Sequence, residues 1–220
     1  RATSRPLHSA PMIFEGIDIF RRRLAADEVL LGSGIGLIDP QVSEALAESV
    51  DFLWIDLEHT PMSPEAMRGH LMAARGRRRA IVVRLPGSDT AFLKPVLDAG
   101  APGIVVPQVS SVEEVQGVID DCRYPPVGRR GFGPLVASDY GRMGEEYVER
   151  ANRSVFVSVM IECVEAVEFI DEIVALPGLD SVVLGPYDLS GSLGVLGQIH
   201  HPDVVSAMER VIAAAQAQNL

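Results

Sequence analysis

The sequence predicts an α/β protein, a (β/α)8 TIM barrel whose last strand is missing from the 220 residues given. Short apolar runs rich in β-branched residues recur along the chain, as is typical of strands buried on both faces. The strands begin about 22 to 28 residues apart, the length of one βα unit in an eight-stranded barrel. Aromatic residues make up only 5% of the chain, so Val, Ile, Leu and Ala must build the core, which favours parallel strands over an antiparallel sandwich.

Seven strands are expected. Six follow directly from the apolar runs at residues 29–37, 52–56, 80–85, 103–106, 155–161 and 181–184. The gap between Val106 and Val155 is twice the usual spacing, so a short fifth strand is expected near residues 128–133. No eighth strand follows, and either the sequence given is cut short or a partner closes the barrel.

Helical patterns occupy most of the intervals between strands. Ser111-Val-Glu-Glu114 has the spacing of a capping box and predicts the start of one of these helices. The expected helical segments are 41–48, 64–74, 90–99, 111–121, 145–151, 164–175 and 202–218.

Length and composition indicate one domain spanning residues 1–220, with residues 1–16 as a flexible N-terminal extension. A chain of this size with 47% hydrophobic residues can bury one large core, and no linker or shift in composition divides it.

The net charge of −11 disfavours nucleic acid or an anionic membrane as a partner. No apolar run approaches membrane-spanning length, and the beginning of the chain lacks the apolar region of a signal peptide. The two cysteines, Cys122 and Cys163, form no disulfide framework, so a reducing compartment is expected. We expect a soluble cytoplasmic protein.

Charged residues follow several strands at the point where each strand ends. Since the carboxyl ends of parallel strands meet at one face of a barrel, these side chains are expected to converge there. A partly buried charge is costly unless it is paired or metal-bound, which favours a functional site over scaffold. The residues are Asp56, Glu58, His59, Arg84, Glu162 and Asp188.

Glu162 and Asp188 lie one βα unit apart, so neighbouring strands would hold them side by side. Two oxygen ligands with room for water and substrate suit Mg²⁺, Mn²⁺ or Co²⁺, and no Cys/His set points to structural zinc. The alternative interpretation is that each acid caps the helix that follows it. Their joint occurrence favours the metal.

Arg84 could clamp a carboxylate or stabilise a developing oxyanion, and a structural ion pair with Asp56 or Glu58 is compatible with that role. His59 is the only histidine at a strand end and is therefore the candidate general base. The only lysine, Lys94, belongs to a helix, which argues against a Schiff-base mechanism.

Four motifs resemble the HpcH/HpaI aldolase family of class II, metal-dependent pyruvate aldolases, and the resemblance runs from about Phe20 to the end of the chain. The motifs are Phe52-Leu-Trp-Ile-Asp-Leu-Glu-His59, Val96-Leu-Asp-Ala-Gly100, Arg123-Tyr-Pro-Pro126 with Arg130-Gly131, and Gly185-Pro-Tyr-Asp-Leu-Ser190. The family includes 2,4-dihydroxyhept-2-ene-1,7-dioate aldolase. The resemblance implies a barrel of the phosphoenolpyruvate/pyruvate-binding type in a homo-oligomer, a hexamer or trimer of dimers.

The resemblance also implies roles for individual residues. Glu162 and Asp188 are similar to the family's metal ligands, with the keto and carboxylate oxygens of pyruvate completing the chelate. His59 resembles the family's proton acceptor, and Arg84 its transition-state stabiliser.

Further positions follow from the same resemblance. Asp56 and Asp98 match acids that support the histidine, with Asp98 acting from a neighbouring subunit. The backbone amides of Tyr187 and Asp188 would receive the pyruvate carboxylate. Met160 stands where the family often has a substrate-contacting Gln, and Tyr187 where it has a small residue, so both are expected to affect substrate choice.

The resulting hypothesis is a divalent-metal-dependent aldolase that interconverts a 4-hydroxy-2-oxo acid with pyruvate, or hydroxypyruvate, and an aldehyde. One alternative is a lyase acting on acyl-CoA thioesters, which would want a basic rim for the CoA phosphates; the net charge argues against it. Another is a non-catalytic relative that binds a 2-keto acid as a ligand.

Overall fold

The structure, a computed structural model, describes residues 12–220. The strands are β1 (Gly32–Ile35), β2 (Phe52–Asp56), β3 (Ala80–Arg84), β4 (Gly103–Val106), β5 (Phe156–Ile161) and β6 (Ser181–Leu184). The helices are α1 (Met12–Leu24), α2 (Gln41–Leu46), α3 (Pro64–Gly76), α4 (Thr90–Asp98), α5 (Val112–Cys122), α6 (Tyr147–Ser154), α7 (Val164–Glu168), α8 (Ile170–Val174), α9 (Pro186–Ser192) and α10 (Pro202–Ala217), with a 3-10 turn at Gly144–Glu146.

The six strands form one parallel sheet in the order β1-β2-β3-β4-β5-β6, so each strand pairs with its neighbour in sequence. This order is that of a singly wound barrel, and the sheet is curled into a half-barrel. The prediction of an α/β fold with parallel strands is confirmed to this extent. The strand β5 is buried along its whole length, whereas β6 is half-buried, as expected at an edge of the sheet.

The interior of the half-barrel is apolar. Side chains from β2 to β6 face a common cavity of about 220 Å³, which is also lined by α1 and by Leu30. The strand residues that line it are Phe52, Trp54, Val82, Val105, Phe156, Ser158, Ser181 and Val183.

Helix α1 crosses the amino-terminal ends of the strands and closes that end of the half-barrel. The ring of Phe20 lies 5.2 Å from that of Phe52 and 5.4 Å from that of Phe156, at the first residues of β2 and β5. Gly16 permits this approach, since a Cβ there would lie 2.5 Å from the backbone of Arg79, directly before β3. Packed aromatic side chains therefore close the interior of the half-barrel at this end.

Ion pairs attach α1 to the loops below the sheet. Arg21 Nη2 donates to Asp180 Oδ2 at 2.8 Å and to the carbonyl oxygen of Val155 at 2.8 Å. Arg23 pairs with Asp51, whose other oxygen accepts from the N–H of Leu31. Because each contact reaches the segment before a different strand, α1 fixes the lower rim of the sheet in several places.

The prediction of a fifth strand near residues 128–133 is wrong. This segment is a loop whose N–H groups bond back to the end of α5: Arg129 N–H donates to the carbonyl of Asp120, and Arg130 N–H to that of Arg123. Gly128 lies so close that a Cβ at this position would overlap the carbonyl oxygen of Asp120. With its backbone hydrogen bonds satisfied locally, the segment has no need of a neighbouring strand.

Other differences from the sequence-based expectations are smaller. The extension expected over residues 1–16 overlaps α1, in which Ile13 and Phe14 are buried; residues 1–11 lie outside the described part of the chain. The helix expected at 164–175 is broken at Phe169 into α7 and α8, and α9 was not expected. No helix within residues 12–220 is long and apolar enough to cross a membrane.

We expect Phe20→Ala to lower the free energy of unfolding by about 3 kcal/mol, because it leaves a void between the rings of Phe52 and Phe156. Urea denaturation at neutral pH measures the change. Phe169→Ala, at a side chain that is 45% exposed, is the control and should cost less than about 1 kcal/mol. Equal losses in the two variants would contradict the role of Phe20 as the closure of the half-barrel.

Candidate active site

An ion pair between neighbouring strands forms the base of the site. Asp56 and Arg84 are the last residues of β2 and β3, and the parallel register sets them side by side. Arg84 Nε donates to Asp56 Oδ1 at 3.0 Å, and its Nη2 donates to Oδ2, so the contact is bidentate. Burial disfavours the charge of Asp56, but the hydrogen bonds from Arg84, with those from the N–H groups of His59 and Glu58, lower its pKa below the ordinary value.

Glu58 extends this pair toward the middle of the site. Its side chain is only 9% exposed, and Oε2 lies 3.1 Å from Nη1 of Arg84. Oε1 accepts a hydrogen bond from Nε2 of Gln108 at 2.9 Å. Arg84 therefore lies between two carboxylates, and these, despite the cost of burial, raise the pKa of its guanidinium.

His59 lies at the rim. Its side chain is 64% exposed, and Nε2 is 3.7 Å from Oε2 of Glu58. The contact with Asp56 is made by the backbone, since the N–H of His59 donates to Asp56 Oδ1 at 3.2 Å. Asp56 thus holds the turn that carries His59, and Glu58 is the acid nearest its ring.

Glu162 directly follows β5 and is buried, with 5% of its surface exposed. Oε1 accepts from the backbone N–H of Gln108 at 2.5 Å. Burial raises the pKa of Glu162, and the nearby charges of Asp188 and Glu58 raise it further, against the opposing effects of the Gln108 N–H and of Arg84. The charges of two further carboxylates, those of Asp188 and Glu58, therefore act on Glu162, and Arg84 is the cation that opposes them.

Asp188 lies in the first turn of α9, one strand away from Glu162. Gly185 precedes that helix and packs against Glu162: a Cβ at this position would be 2.7 Å from Glu162 Oε2. Neither α7 nor α9 has a side-chain hydrogen bond at its N-cap, which is Cys163 in one and Gly185 in the other. Helix capping by the two acids, the alternative to a metal site, is therefore not what the structure shows.

The remaining predicted residues divide into two groups. Met160 is buried and lies against Gly185, where a Cβ would be 3.3 Å from Met160 Cγ, and Tyr187 is exposed beside Asp188. Asp98 is not brought to His59 within this chain; its Oδ1 accepts from Nη2 of Arg130 at 2.8 Å. Its expected action from a neighbouring subunit stays a prediction.

Two positions of the site were not predicted from the sequence. Gln108 lies two residues beyond the end of β4, and the sequence-based prediction names only ionisable residues at strand ends. Gly185 belongs to one of the four motifs, but its contact with Glu162 has no signature in the sequence. The polar residue that follows Val106-Pro107 was the available signal for Gln108.

The donor set fits a divalent cation. Glu162 and Asp188 offer hard oxygen ligands. Burial, with the added charge of Asp188, raises the pKa of Glu162, and a bound cation would offset both effects. Within residues 12–220, no three His, Cys, Asp or Glu side chains are gathered closely enough to hold a metal alone. A cation here would therefore rely on two protein carboxylates together with oxygen atoms of water or substrate.

Comparison with known proteins now identifies the family. A sequence model of the family described as HpcH/HpaI aldolase/citrate lyase matches residues 39–220. The chain belongs to this family. The matched range includes every site residue described above, from Asp56 to Asp188, so the resemblance carried by the four motifs is confirmed.

Several relatives are similar along most of their length. A hydroxypyruvate/pyruvate aldolase of Roseobacter denitrificans is 35% identical over 199 residues, with 89% of this chain and 77% of that protein covered. A 5-keto-4-deoxy-D-glucarate aldolase of Enterobacter sp. is 33% identical, covering 90% and 78%. The solved structure of an HpcH/HpaI aldolase/citrate lyase family protein from Burkholderia cenocepacia matches with a TM-score of 0.87 at 34% identity, covering 92% of this chain and 82% of that one.

The raised pKa of Glu162 predicts how the stability of metal-free protein depends on pH. A carboxyl whose folded-state pKa exceeds its ordinary value of 4.5 destabilises the folded state once it ionises. Glu162→Gln, which still accepts from the Gln108 N–H, should therefore raise the free energy of unfolding at pH 7; its advantage should shrink as the pH falls through the raised pKa of Glu162 and be gone below about 4.5.

Urea denaturation in EDTA at pH 7 and pH 4 tests this expectation. The control is Glu165→Gln, an exposed position on α7. An advantage of Glu162→Gln that grows on acidification would contradict it.

Proposed function

We propose that this protein is a divalent-metal-dependent aldolase that cleaves a 4-hydroxy-2-oxo acid into pyruvate, or hydroxypyruvate, and an aldehyde, or forms the acid from them. The observation that carries the proposal is the buried carboxylate of Glu162, placed with Asp188 at the carboxyl end of a curled parallel sheet and close to Arg84. In barrels of this kind the chemistry occurs at that end. The names of two relatives, hydroxypyruvate/pyruvate aldolase and 5-keto-4-deoxy-D-glucarate aldolase, support the reaction class.

Glu162 and Asp188 would hold the cation, Mg²⁺, Mn²⁺ or Co²⁺, with the keto and carboxylate oxygens of the substrate. When bound, such a cation acts as a Lewis acid that draws electron density from the keto group. The two acids differ in exposure, because Glu162 is buried and Asp188 is exposed. Glu162 therefore fixes the inner side of the site, and Asp188 lies on the side open to substrate.

Arg84 supplies the fixed positive charge. When the C3–C4 bond breaks, negative charge develops on the enolate oxygen of the pyruvate half, and a guanidinium held in place stabilises it without reorganising. Asp56 holds two donors of Arg84, and Glu58 lies beside the third nitrogen. These contacts fix the orientation of the guanidinium before the substrate binds.

His59 would move the proton of the alcohol. In cleavage, the hydroxyl at C4 loses its proton as the aldehyde forms, and the histidine at the rim would accept it directly or through a water molecule; C3 of the enolate then gains a proton to give pyruvate. Lys94 cannot provide the alternative Schiff-base route, because it is exposed on α4 and lies near Gly131, away from the strand ends. Met160 and Tyr187 flank the acids and would contact the substrate; backbone N–H groups at Tyr187 and Asp188 would receive its carboxylate.

The proposal is tested by mixing the protein with Mg²⁺ or Mn²⁺ and a series of 4-hydroxy-2-oxo acids. We expect metal-dependent release of pyruvate, detected by coupling to lactate dehydrogenase, and its loss in EDTA and in Glu162→Ala. Glu165→Ala, on the exposed face of α7, is the matched control. Pyruvate release that persists in EDTA would exclude the metal-dependent reaction.

Arg84→Lys should lower kcat by about 100-fold, because lysine keeps the charge but loses the rigid fork that meets Asp56 and the substrate together. Steady-state kinetics of pyruvate release measure the change. Arg129→Lys is the control, since Arg129 pairs with Asp121 at 2.6 Å on the surface and its side chain is 61% exposed. A decrease of less than about threefold for Arg84→Lys, a small fraction of what a lost oxyanion donor costs, would remove Arg84 from the proposed mechanism.

A further inference from the structure

Gln108 occupies an unusual position at the end of β4. It follows Val106 and Pro107 and has a φ of 57°, in the left-handed region. An L-residue other than glycine meets steric opposition there, between Cβ and the neighbouring carbonyl, so the conformation persists only where the surroundings impose it. Since β4 lies between β3 and β5 in the sheet, the turn at Gln108 faces the space between Arg84 and Glu162.

Gln108 donates hydrogen bonds to two different carboxylates. Its backbone N–H donates to Glu162 Oε1 at 2.5 Å, and its side-chain Nε2 donates to Glu58 Oε1 at 2.9 Å. These are two carboxylates that repel each other, because the charge of Glu58 contributes to the raised pKa of Glu162. One residue thus holds both acids at a fixed separation.

Each of these hydrogen bonds occupies one oxygen of its carboxylate and leaves the other oxygen free to contact a second partner. Glu162 Oε2 is directed toward Gly185, at the beginning of the helix that carries Asp188. Glu58 Oε2 lies 3.1 Å from Nη1 of Arg84. The backbone of Gln108 therefore positions Glu162, the proposed metal ligand. Its side chain positions Glu58 and, through it, the guanidinium of Arg84.

We infer that Gln108 is a positioning residue that sets the geometry of the metal ligand Glu162 through its left-handed turn and that of Arg84 through Glu58. The inference rests on the proposed function in that Glu162 is a metal ligand and Arg84 a charge stabiliser. An uncharged, exposed residue thereby couples the proposed metal ligands to the guanidinium of Arg84.

Two substitutions separate the two halves. Gln108→Gly keeps the N–H and adopts a positive φ without strain, but it removes the carboxamide. It should leave the Mn²⁺ dissociation constant within about twofold of that of the unmodified protein and lower kcat for pyruvate release at least about tenfold, the effect of losing a hydrogen bond to a charged group. Gln108→Val removes the carboxamide and also opposes the turn, so it should weaken Mn²⁺ binding at least about tenfold as well.

Arg78→Val is the matched control for the backbone conflict. Arg78 also has a positive φ, of 54°, and lies in the loop before β3, at the opposite end of the sheet; its side chain is 66% exposed. Valine there should lower the thermal midpoint while leaving Mn²⁺ affinity and kcat unchanged. Isothermal titration calorimetry with Mn²⁺ and steady-state kinetics give the two values for every variant.

A metal-free measurement makes the test independent of the proposed function. Trp54 is the only tryptophan, and Cζ of Arg84 lies 6.0 Å from the centre of its ring. Gln108→Gly should change the emission of Trp54 in EDTA, because Glu58 is no longer held and the guanidinium of Arg84 shifts with it; Arg78→Val should leave the emission unchanged.

The outcomes separate the two claims. An unaltered kcat and Trp54 emission in Gln108→Gly, or unaltered Mn²⁺ affinity in folded Gln108→Val, would overturn the inference. If the Gln108 variants behave as expected in Mn²⁺ binding and emission but no 4-hydroxy-2-oxo acid releases pyruvate, the proposed function fails and the positioning role stands.

Discussion

The bidentate ion pair of Asp56 with Arg84 is the interaction on which the organisation of the site depends. It joins the ends of two adjacent strands, with side chains that are only 16% and 15% exposed. The same carboxylate accepts from the N–H groups of Glu58 and His59, so it also fixes the turn after β2. Without Arg84, the acids around it would be left as a partly buried cluster of like charge, which is strongly destabilising.

The two ends of the half-barrel differ in chemistry because they are closed by different elements. At the amino-terminal ends, Phe20 fills the space between aromatic rings, and the arginines of α1 pair with loops outside it. At the carboxyl ends, loops and short helices follow the strands and present charged groups. The apolar lumen below Arg84 lowers the polarity of its surroundings, and this strengthens the charge interactions above it.

Sequence reasoning located the parts of the site that depend on strand position. A charged residue at the end of an apolar run is visible as an interruption, so Arg84 and Glu162 could be placed at the correct end of the sheet, and the pairing of Arg84 with Asp56 could be foreseen. The conformation of Gln108 and the approach of Gly185 to Glu162 could not, because they arise from backbone geometry that side-chain type does not encode. The wrong prediction of a strand near residues 128–133 has a similar cause. It was based on the number of residues between strands, whereas the segment forms a loop because its N–H groups find acceptors at the end of α5.

The cation is an arginine in the ion pairs that attach α1, which are formed by Arg21 and Arg23. It is also an arginine, Arg84, in the ion pairs at the base of the site. A guanidinium in a protein does not lose its proton, in contrast to the ammonium of lysine, which titrates near pH 10. The pKa of Arg84 is raised by its carboxylate partners and that of Asp56 is lowered by its hydrogen bonds, so the ion pair at the base of the site keeps both charges far into the alkaline range.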